Sequence, residues 1–401
     1  MNTYALPKDS KAWQNAIDRV AHLLPMGSIG SIQALKQLPV FAIIVVVAKT
    51  AVDELTVNGC QVDDVVQAWT KTQRGWQAVV VFDDDASLAN AHLVGTHESL
   101  TDVAVYRYLL IPTDHKEMSA DKREAVAHII DQQLTAYLKK TLTPKPNYPF
   151  KINEMGQVSE LTDEQMAELK KSHIDVHILS VAQVLRRHKL ICFDMDSTLI
   201  EQEVIVELAK MAGVADKVEK ITESAMHGEM DFNESFAKRV ALLEGVDILV
   251  IDEIIKERIS FCQGAYATIK ALKHKGCRTV LISGGFTPFA KYVAQSLGMD
   301  EYHANPLLCA DGKLTGKVDK HIIDGKAKAR IVARIADAMA IDMEEVVCVG
   351  DGANDLPMMA ISDIGVAYKA KPIVRVKADA AVNITGLEGV LYALGHRFDK
   401  R

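Results

Sequence analysis

The chain has 401 residues, enough for two domains, and its 49% hydrophobic and 25% charged content is ordinary for a globular protein. Its 46 basic and 53 acidic side chains leave a formal charge of -7 with no basic block, which argues against a nucleic-acid partner. The most apolar run, Leu38 to Ala48, falls well short of the roughly 20 residues that span a membrane.

The N-terminal residues Met1 to Lys8 lack the basic start and apolar core of a targeting signal. None of the cysteines (Cys60, Cys192, Cys262, Cys277, Cys309 and Cys348) forms a CxxC pair. A cytoplasmic location is therefore expected. A helix is predicted from Asp9 to Leu24, with Asp9 or Ser10 as its cap. Strands follow at Val40–Ala48, Trp76–Phe82 and Val103–Ile111, and an amphipathic helix runs from Ser119 to about Lys140. Thr143 to Pro149 holds three prolines in seven residues and reads as a linker. Beyond it come a polar helix, Leu161–Lys171, an apolar run, His177–Leu185, and a basic tetrad, Arg186 to Lys189, expected to be a solvated lead-in.

From Leu190 the pattern changes to alternating strands and helices. Strand-like runs at Leu190–Phe193, Thr279–Ile282, Val346–Val349, Ile364–Ala367 and Ala380–Ile384 are separated by helical stretches such as Thr287–Leu297 and Lys326–Met339. Such alternation predicts an α/β fold, a Rossmann-like parallel sheet covered by helices. Ligands then bind at the carboxyl ends of the strands. The segment Gly312 to Lys317 has the wrong spacing for a phosphate-binding loop, and Asp311-Gly312 predicts a β-hairpin turn instead.

Three strand ends carry candidate chemistry. Asp194 and Asp196 follow the first strand; taken alone, such a pair is an ordinary turn signal. Ser283, Gly284 and Gly285 follow the second, where glycines let backbone N–H groups approach an anion. Asp351, Asn354 and Asp355 follow a third. Lys328, or Lys326 two residues before it, adds a cation. Together they offer hard oxygen ligands for Mg²⁺ and both neutral and positive donors for a phosphate.

On these residues the segment from about Leu190 onward resembles the haloacid dehalogenase superfamily of phosphotransferases. The Asp-x-Asp-x-Thr motif stands as Asp194, Asp196 and Thr198. With Ser283-Gly-Gly-Phe-Thr and Gly350-Asp-Gly-Ala-Asn-Asp355, it is similar to the phosphoserine phosphatase family. The resemblance implies that Asp194 attacks phosphorus and that Asp196 acts as general acid and base. It also implies that Lys328, Ser283 and Gly284 bind phosphoryl oxygens. Mg²⁺ would be held by Asp194, Asp351 and the Asp196 carbonyl, with Asp355 acting through the water shell and Asn354 completing the site.

The stretch between the first two motifs exceeds one crossover helix, so a helical cap is expected at about 201–264, including helices at Val204–Met211 and Phe236–Leu243. By resemblance, Glu203 takes the ammonium of O-phospho-L-serine and Arg239 its carboxylate, while Met226 and Phe232 form an apolar lid. Residues 186–401 are the expected catalytic domain. Residues 1–185 are expected to form an α+β domain, ACT-like in length and pattern, that binds an effector such as serine or holds a homodimer together. The catalytic motifs read phosphate and leave other small phosphate esters open. An amino-acid sensor with vestigial catalysis is the alternative from another class.

Overall fold

The computed structural model describes residues 40–48, 62–72, 76–80, 103–112, 151–152, 158–159, 174–226 and 230–396, with isolated helical residues at 13, 17 and between 126 and 137. The predicted linker at 143–149 and the polar helix at 161–171 lie outside the described residues. Two compact units emerge. The first comprises Met1–Leu185, Asn383–Thr385 and Gly395–Arg401; the second comprises Arg186–Val382 and Gly386–Leu394.

The first unit is built on β1 (Phe41–Ala48), α1 (Val62–Thr72), β2 (Trp76–Val80), β3 (Val103–Pro112), the two-residue strands β4 (Lys151–Ile152) and β5 (Val158–Ser159), and β6 (Ile174–Ser180). A short helix, α2 (Val181–Leu185), follows. The main sheet has the order β2-β3-β1-β6 and is antiparallel throughout. Valine and isoleucine fill β1, whose branched side chains suit a central strand. Alternate residues Phe41, Ile43, Val45 and Val47 pack with Val62, Val66 and Trp69 of α1. The apolar run read from His177 to Leu185 divides here into the end of β6 and the whole of α2.

The second unit begins with β7 (Leu190–Phe193) and continues through a helical insertion: α3 (Val204–Met211), α4 (Ala215–Met226), α5 (Phe232–Ala241) and α6 (Leu249–Glu257). Then come α7 (Ala265–His274), β8 (Arg278–Phe286), α8 (Thr287–Leu297), β9 (Glu301–Asn305), a hairpin of β10 (Cys309–Ala310) and β11 (Lys313–Leu314), and α9 (Gly325–Ala338). The chain closes with β12 (Val346–Gly350), α10 (Leu356–Met359), β13 (Ile364–Tyr368), α11 (Pro372–Lys377), β14 (Ala380–Val382) and α12 (Gly389–Ala393).

Six of these strands form a parallel sheet in the order β14-β13-β12-β7-β8-β9, with β7 and β12 central. All four residues of β7 are buried, as expected where helices cover both faces. Leu190, Cys192, Val280, Ile282, Val346 and Cys348 share one face with Val332 and Ile335 of α9. Local chemistry sets the helix ends. Asp231 caps α5 by accepting the Glu234 N–H at 2.8 Å, and Asp324 caps α9 by accepting that of Ala327 at 2.7 Å. Gly298, at φ 69°, ends α8 in the left-handed conformation that glycine adopts at low cost. Asp311 and Gly312, both at positive φ, make the predicted hairpin turn.

The helical insertion springs from one point. Glu201 N donates to Ser260 O at 3.0 Å and Cys262 N donates to Leu199 O at 2.9 Å, so its two ends are pinned side by side. Three expectations need correction. The basic tetrad is only half solvated: Arg186 and His188 are buried and both engage Asp363, with His188 Nε2 at 2.8 Å from Oδ2, while Arg187 is exposed and Lys189 partly so. A buried cation needs such a partner, and Asp363 lies far along the sequence. The second strand of the expected sheet does not stop at Ile282: Ser283 to Gly285 continue β8 to Phe286, with an irregular register against β9. The strand β9, Glu-Tyr-His-Ala-Asn, was not anticipated because it is a half-polar edge strand without clear alternation.

Candidate active site

The carboxyl ends of β7, β12 and β8 lie next to one another at the centre of the sheet, and each delivers one predicted motif. Asp194 follows β7 directly, its N–H bound to Val349 O at 2.9 Å. Lys328, fully buried on α9, reaches both Asp194 Oδ1 at 2.6 Å and Asp355 Oδ1 at 2.7 Å. Lys326 is exposed, so the structure brings only the later lysine to the cluster. Asp355 Oδ2 accepts the backbone N–H of Asp351 at 3.1 Å and of Gly352 at 3.0 Å, which fixes the acidic turn after β12. Gly350 makes this possible, because a Cβ there would sit 2.3 Å from Asp355 Oδ2.

Carboxylate oxygens of Asp194, Asp351 and Asp355 lie within 4.8 Å of one another. One buried ammonium cannot balance three carboxylates, and the pKa shifts express the deficit. Burial, then Asp355, pushes Asp194 up to about 8 against the pull of Lys328. Burial and Asp355 likewise raise Asp351 to about 7. For Lys328, burial favours the neutral amine, but Asp194 and Asp355 outweigh it and hold the ammonium charged. The donor set is all oxygen, buried and short of positive charge, which fits a hard divalent cation such as Mg²⁺.

Asp196 lies two residues beyond Asp194, on a turn where Ser197 takes φ 57°. Its Oδ1 faces the Val204 N–H at the start of α3, at 3.5 Å. Desolvation first, then Glu203 and Asp194, raises its pKa well above the ordinary carboxylate value. Its side chain stands outside the three-carboxylate cluster. Thr198 is fully buried and its hydroxyl faces Asp351 Oδ1 at 3.4 Å.

On the β8 side, buried Ser283 accepts the Gly285 N–H at 2.8 Å. Neither Gly284 nor Gly285 has positive φ, so close approach is what requires glycine there. A Cβ on Gly285 would meet Asp196 Oδ2 at 3.0 Å, and one on Gly284 would meet the Phe232 ring at 3.3 Å. Asn354 is half-buried, its Oδ1 over Gly352.

The insertion closes over these groups. Glu203, at the N-terminus of α3, accepts from Ser197 Oγ at 3.2 Å and adds its charge to Asp196 and Asp351. Arg239, half-buried on α5, is lowered in pKa by burial and sustained by Glu203, so the two predicted substrate residues share one electrostatic neighbourhood. Phe232 begins α5 and lies against Gly284. Met226 ends α4, and its side chain lies outside the described residues.

Three contributors escaped sequence reasoning. Asn305, buried at the end of β9, donates to Gly284 O at 2.8 Å and accepts the Ile323 N–H at 2.8 Å, which binds the β8 end to the approach to α9. A single asparagine in a half-polar strand carries no local signal of that role. Phe236 and Phe286 continue from Phe232 as a line of rings, with centroids 6.1 Å and 5.6 Å apart, running from insertion to core. Phe286 read simply as part of the motif.

A family model described as haloacid dehalogenase-like hydrolase matches residues 188–363. The "Probable phosphoserine phosphatase" of Schizosaccharomyces pombe is 46% identical over 225 residues, which are 56% of this chain and 75% of that protein. The "Phosphoserine phosphatase" of Methanocaldococcus jannaschii is 42% identical over 206 residues, 51% of this chain and 97% of that protein. Among solved structures, a haloacid dehalogenase family hydrolase from Salmonella enterica serovar Typhi superposes with a TM-score of 0.62. It has 23% identity and covers 88% of this chain and 98% of that one, a likeness of fold.

Proposed function

The chain belongs to the haloacid dehalogenase-like hydrolases, and from that premise we propose that it hydrolyses O-phospho-L-serine to L-serine and phosphate through an aspartyl-phosphate. One observation carries the proposal: Asp194 is held by Lys328 beside Asp351 and Asp355, beneath a cap that presents Glu203 and Arg239. Uncatalysed hydrolysis of a phosphate monoester is slow enough to call for up to ~10²¹-fold acceleration, on the order of 28 kcal/mol. A single aligned donor supplies about 3–4 kcal/mol, so several groups must act together.

Asp194 attacks phosphorus while Lys328 fixes the direction of its carboxylate. Nucleophilic catalysis divides the displacement into two easier steps. Asp196, with its raised pKa, keeps a proton to give to the departing serine oxygen and then takes one from the attacking water. Ser283 and the backbone N–H groups near Gly284 receive the phosphoryl oxygens. Asp194, Asp351 and the Asp196 carbonyl would hold a Mg²⁺, with Asp355 acting through its water shell, and the ion would supply Lewis-acid charge that offsets the repulsion between phosphate and carboxylate. Glu203 receives the substrate ammonium and Arg239 its carboxylate, a planar match for a guanidinium. Phe232 and Met226 keep water out.

The first unit is proposed to be an ACT-like domain that binds serine or a related amino acid and supports a homodimer. Its antiparallel sheet, in the order β2-β3-β1-β6 with α1 between the first two strands, supports that reading. Cys192, Cys262, Cys277, Cys309 and Cys348 are free thiols, in keeping with a reducing cytoplasm.

Phosphate release from O-phospho-L-serine with Mg²⁺, beside a panel of other phosphate esters, tests the substrate. Preferred turnover of phosphoserine, abolished in Asp194→Asn and by chelation of the metal, is the expected result. Turnover confined to another ester would keep the nucleophile and discard the roles of Glu203 and Arg239.

A further inference from the structure

A cavity of about 450 Å³ opens against α9 and is not lined by Lys328, and the catalytic reading gives it no role. Its volume lies in the range of small-molecule sites. Arg330 and Arg334 stand one turn apart on the face of α9 that also carries Ala327 and Ile331. Lys320 and His321 enter from the loop before the helix, and Asn233 arrives from the cap helix α5.

Charge is what distinguishes this cavity. The molecule as a whole is acidic, at -7, yet these walls gather three permanent cations and a histidine. Among the described residues, none of Lys320, Arg330 and Arg334 makes an ion pair. The one acid in the wall, Asp324, is committed to the α9 cap and to Asn233 Nδ2 at 3.4 Å. Like charges spaced i and i+4 on a helix destabilise it, and an anion between them removes that repulsion. Guanidinium groups suit an oxyanion with two acceptor oxygens, since they donate in a planar fork.

We propose that this cavity is a second anion-binding site, separate from the catalytic pocket, that takes a small dianion bearing a phosphate or two carboxylates. An occupant touches α9 through Arg330 and Arg334 and the cap through Asn233, next to the lid residue Phe232. It therefore bridges the seam along which the cap meets the core. This inference does not depend on which ester is hydrolysed.

The test uses the full-length protein, selectively labelled at histidine and kept metal-free with EDTA. It is titrated separately with inorganic phosphate and with malonate while the His321 ring resonances, assigned with His321→Gln, are followed by NMR. A saturable His321 shift is expected, with affinity at least tenfold weaker in Arg330→Gln/Arg334→Gln and in Arg330→Glu/Arg334→Glu. Turnover at saturating phosphoserine should change less than twofold in both variants, which reports that they remain folded. Saturation by phosphate alone assigns a phosphate-bearing ligand, and saturation by both probes assigns dianions in general. A shift that stays linear with both probes, or equal affinity in the parent and the glutamine variant, overturns the proposal.

Discussion

At the scale of single residues, the site depends on where side chains are absent as much as on where they are present. Gly285 leaves room for Asp196, and Gly350 leaves room for Asp355. Gly285→Ala would set a methyl 3.0 Å from Asp196 Oδ2 and 3.1 Å from Ser283 Oγ. We predict a fall in kcat of about tenfold, equivalent to ~1.4 kcal/mol, with the melting temperature nearly unchanged. Parent-like kcat would show that the strand end yields. Asn305→Ala should behave differently. It removes both partners of the Gly284 carbonyl and the Ile323 N–H, each costing about 1–3 kcal/mol if left unsatisfied. Thermal melting should therefore fall clearly, and an unchanged melting temperature would mean that water replaces the amide. The Asp-x-Asp-x-Thr motif and the acidic glycine turn were legible in the sequence because their groups are close along the chain. Asn305 was not, because its importance comes from what two distant segments need.

At the scale of elements, the cap is a set of short helices tied by few contacts. Glu207 on α3 accepts from Lys210 at 2.6 Å and from Arg258, just past α6, at 3.1 Å. Burial alone would raise its pKa, but the hydrogen bonds from Lys210 and Arg258 outweigh it, so the net shift is downward. A depressed carboxylate pKa contributes stability above the unfolded value, about 4.3, and loses it as pH falls through the folded value. Glu207→Gln should therefore melt lower at pH 7 and converge with the parent as the pH falls through the folded-state pKa of Glu207. Solvent screening limits the difference to roughly 0.5 kcal/mol, or about 1–2 °C. A gap independent of pH would assign the effect to packing. Arg239→Ala should raise KM for phosphoserine more than it lowers kcat, since the role proposed for Arg239 is to bind the substrate carboxylate and not the reacting phosphorus. Equal loss in both parameters would place Arg239 in the chemistry. Helices α3 and α5 were predicted from periodicity, but α5 begins four residues before its expected start, at the Asp231 cap. The second strand was expected to end at Ile282 because glycines usually punctuate, whereas here Gly284 and Gly285 let an irregular strand run on close to its neighbours.

At the scale of the whole molecule, the first unit is not one continuous stretch of chain. Asp175 accepts from Asn383 N at 2.7 Å, Asn383 Nδ2 at 2.8 Å and Ile384 N at 3.1 Å, and Trp13 Nε1 donates to Gly395 O at 3.0 Å. A fragment ending at Leu185 loses all of these donors to Asp175. It should unfold at lower denaturant than the first unit of the intact chain; equal midpoints would show the returning segments to be dispensable. All three tryptophans, Trp13, Trp69 and Trp76, belong to this unit, so intrinsic fluorescence reports on it selectively. Millimolar serine should change their emission and raise the melting temperature. A flat response across an amino-acid panel would discard the effector role.

By itself the sequence determined the alternation of strands and helices, the three acidic or glycine-rich strand ends and the order in which they arrive. These are local properties, set by side-chain periodicity and by groups a few residues apart. Tertiary structure alone decided which lysine reaches Asp194, because a helix face is defined only by what it packs on, and Lys328 points inward while Lys326 does not. It also decided that Arg186 and His188 are buried, since their partner Asp363 lies some 175 residues away. The gathering of Lys320, His321, Arg330 and Arg334 around one cavity has the same origin: charges scattered along a loop and a helix become a site only when the fold curves them toward one another.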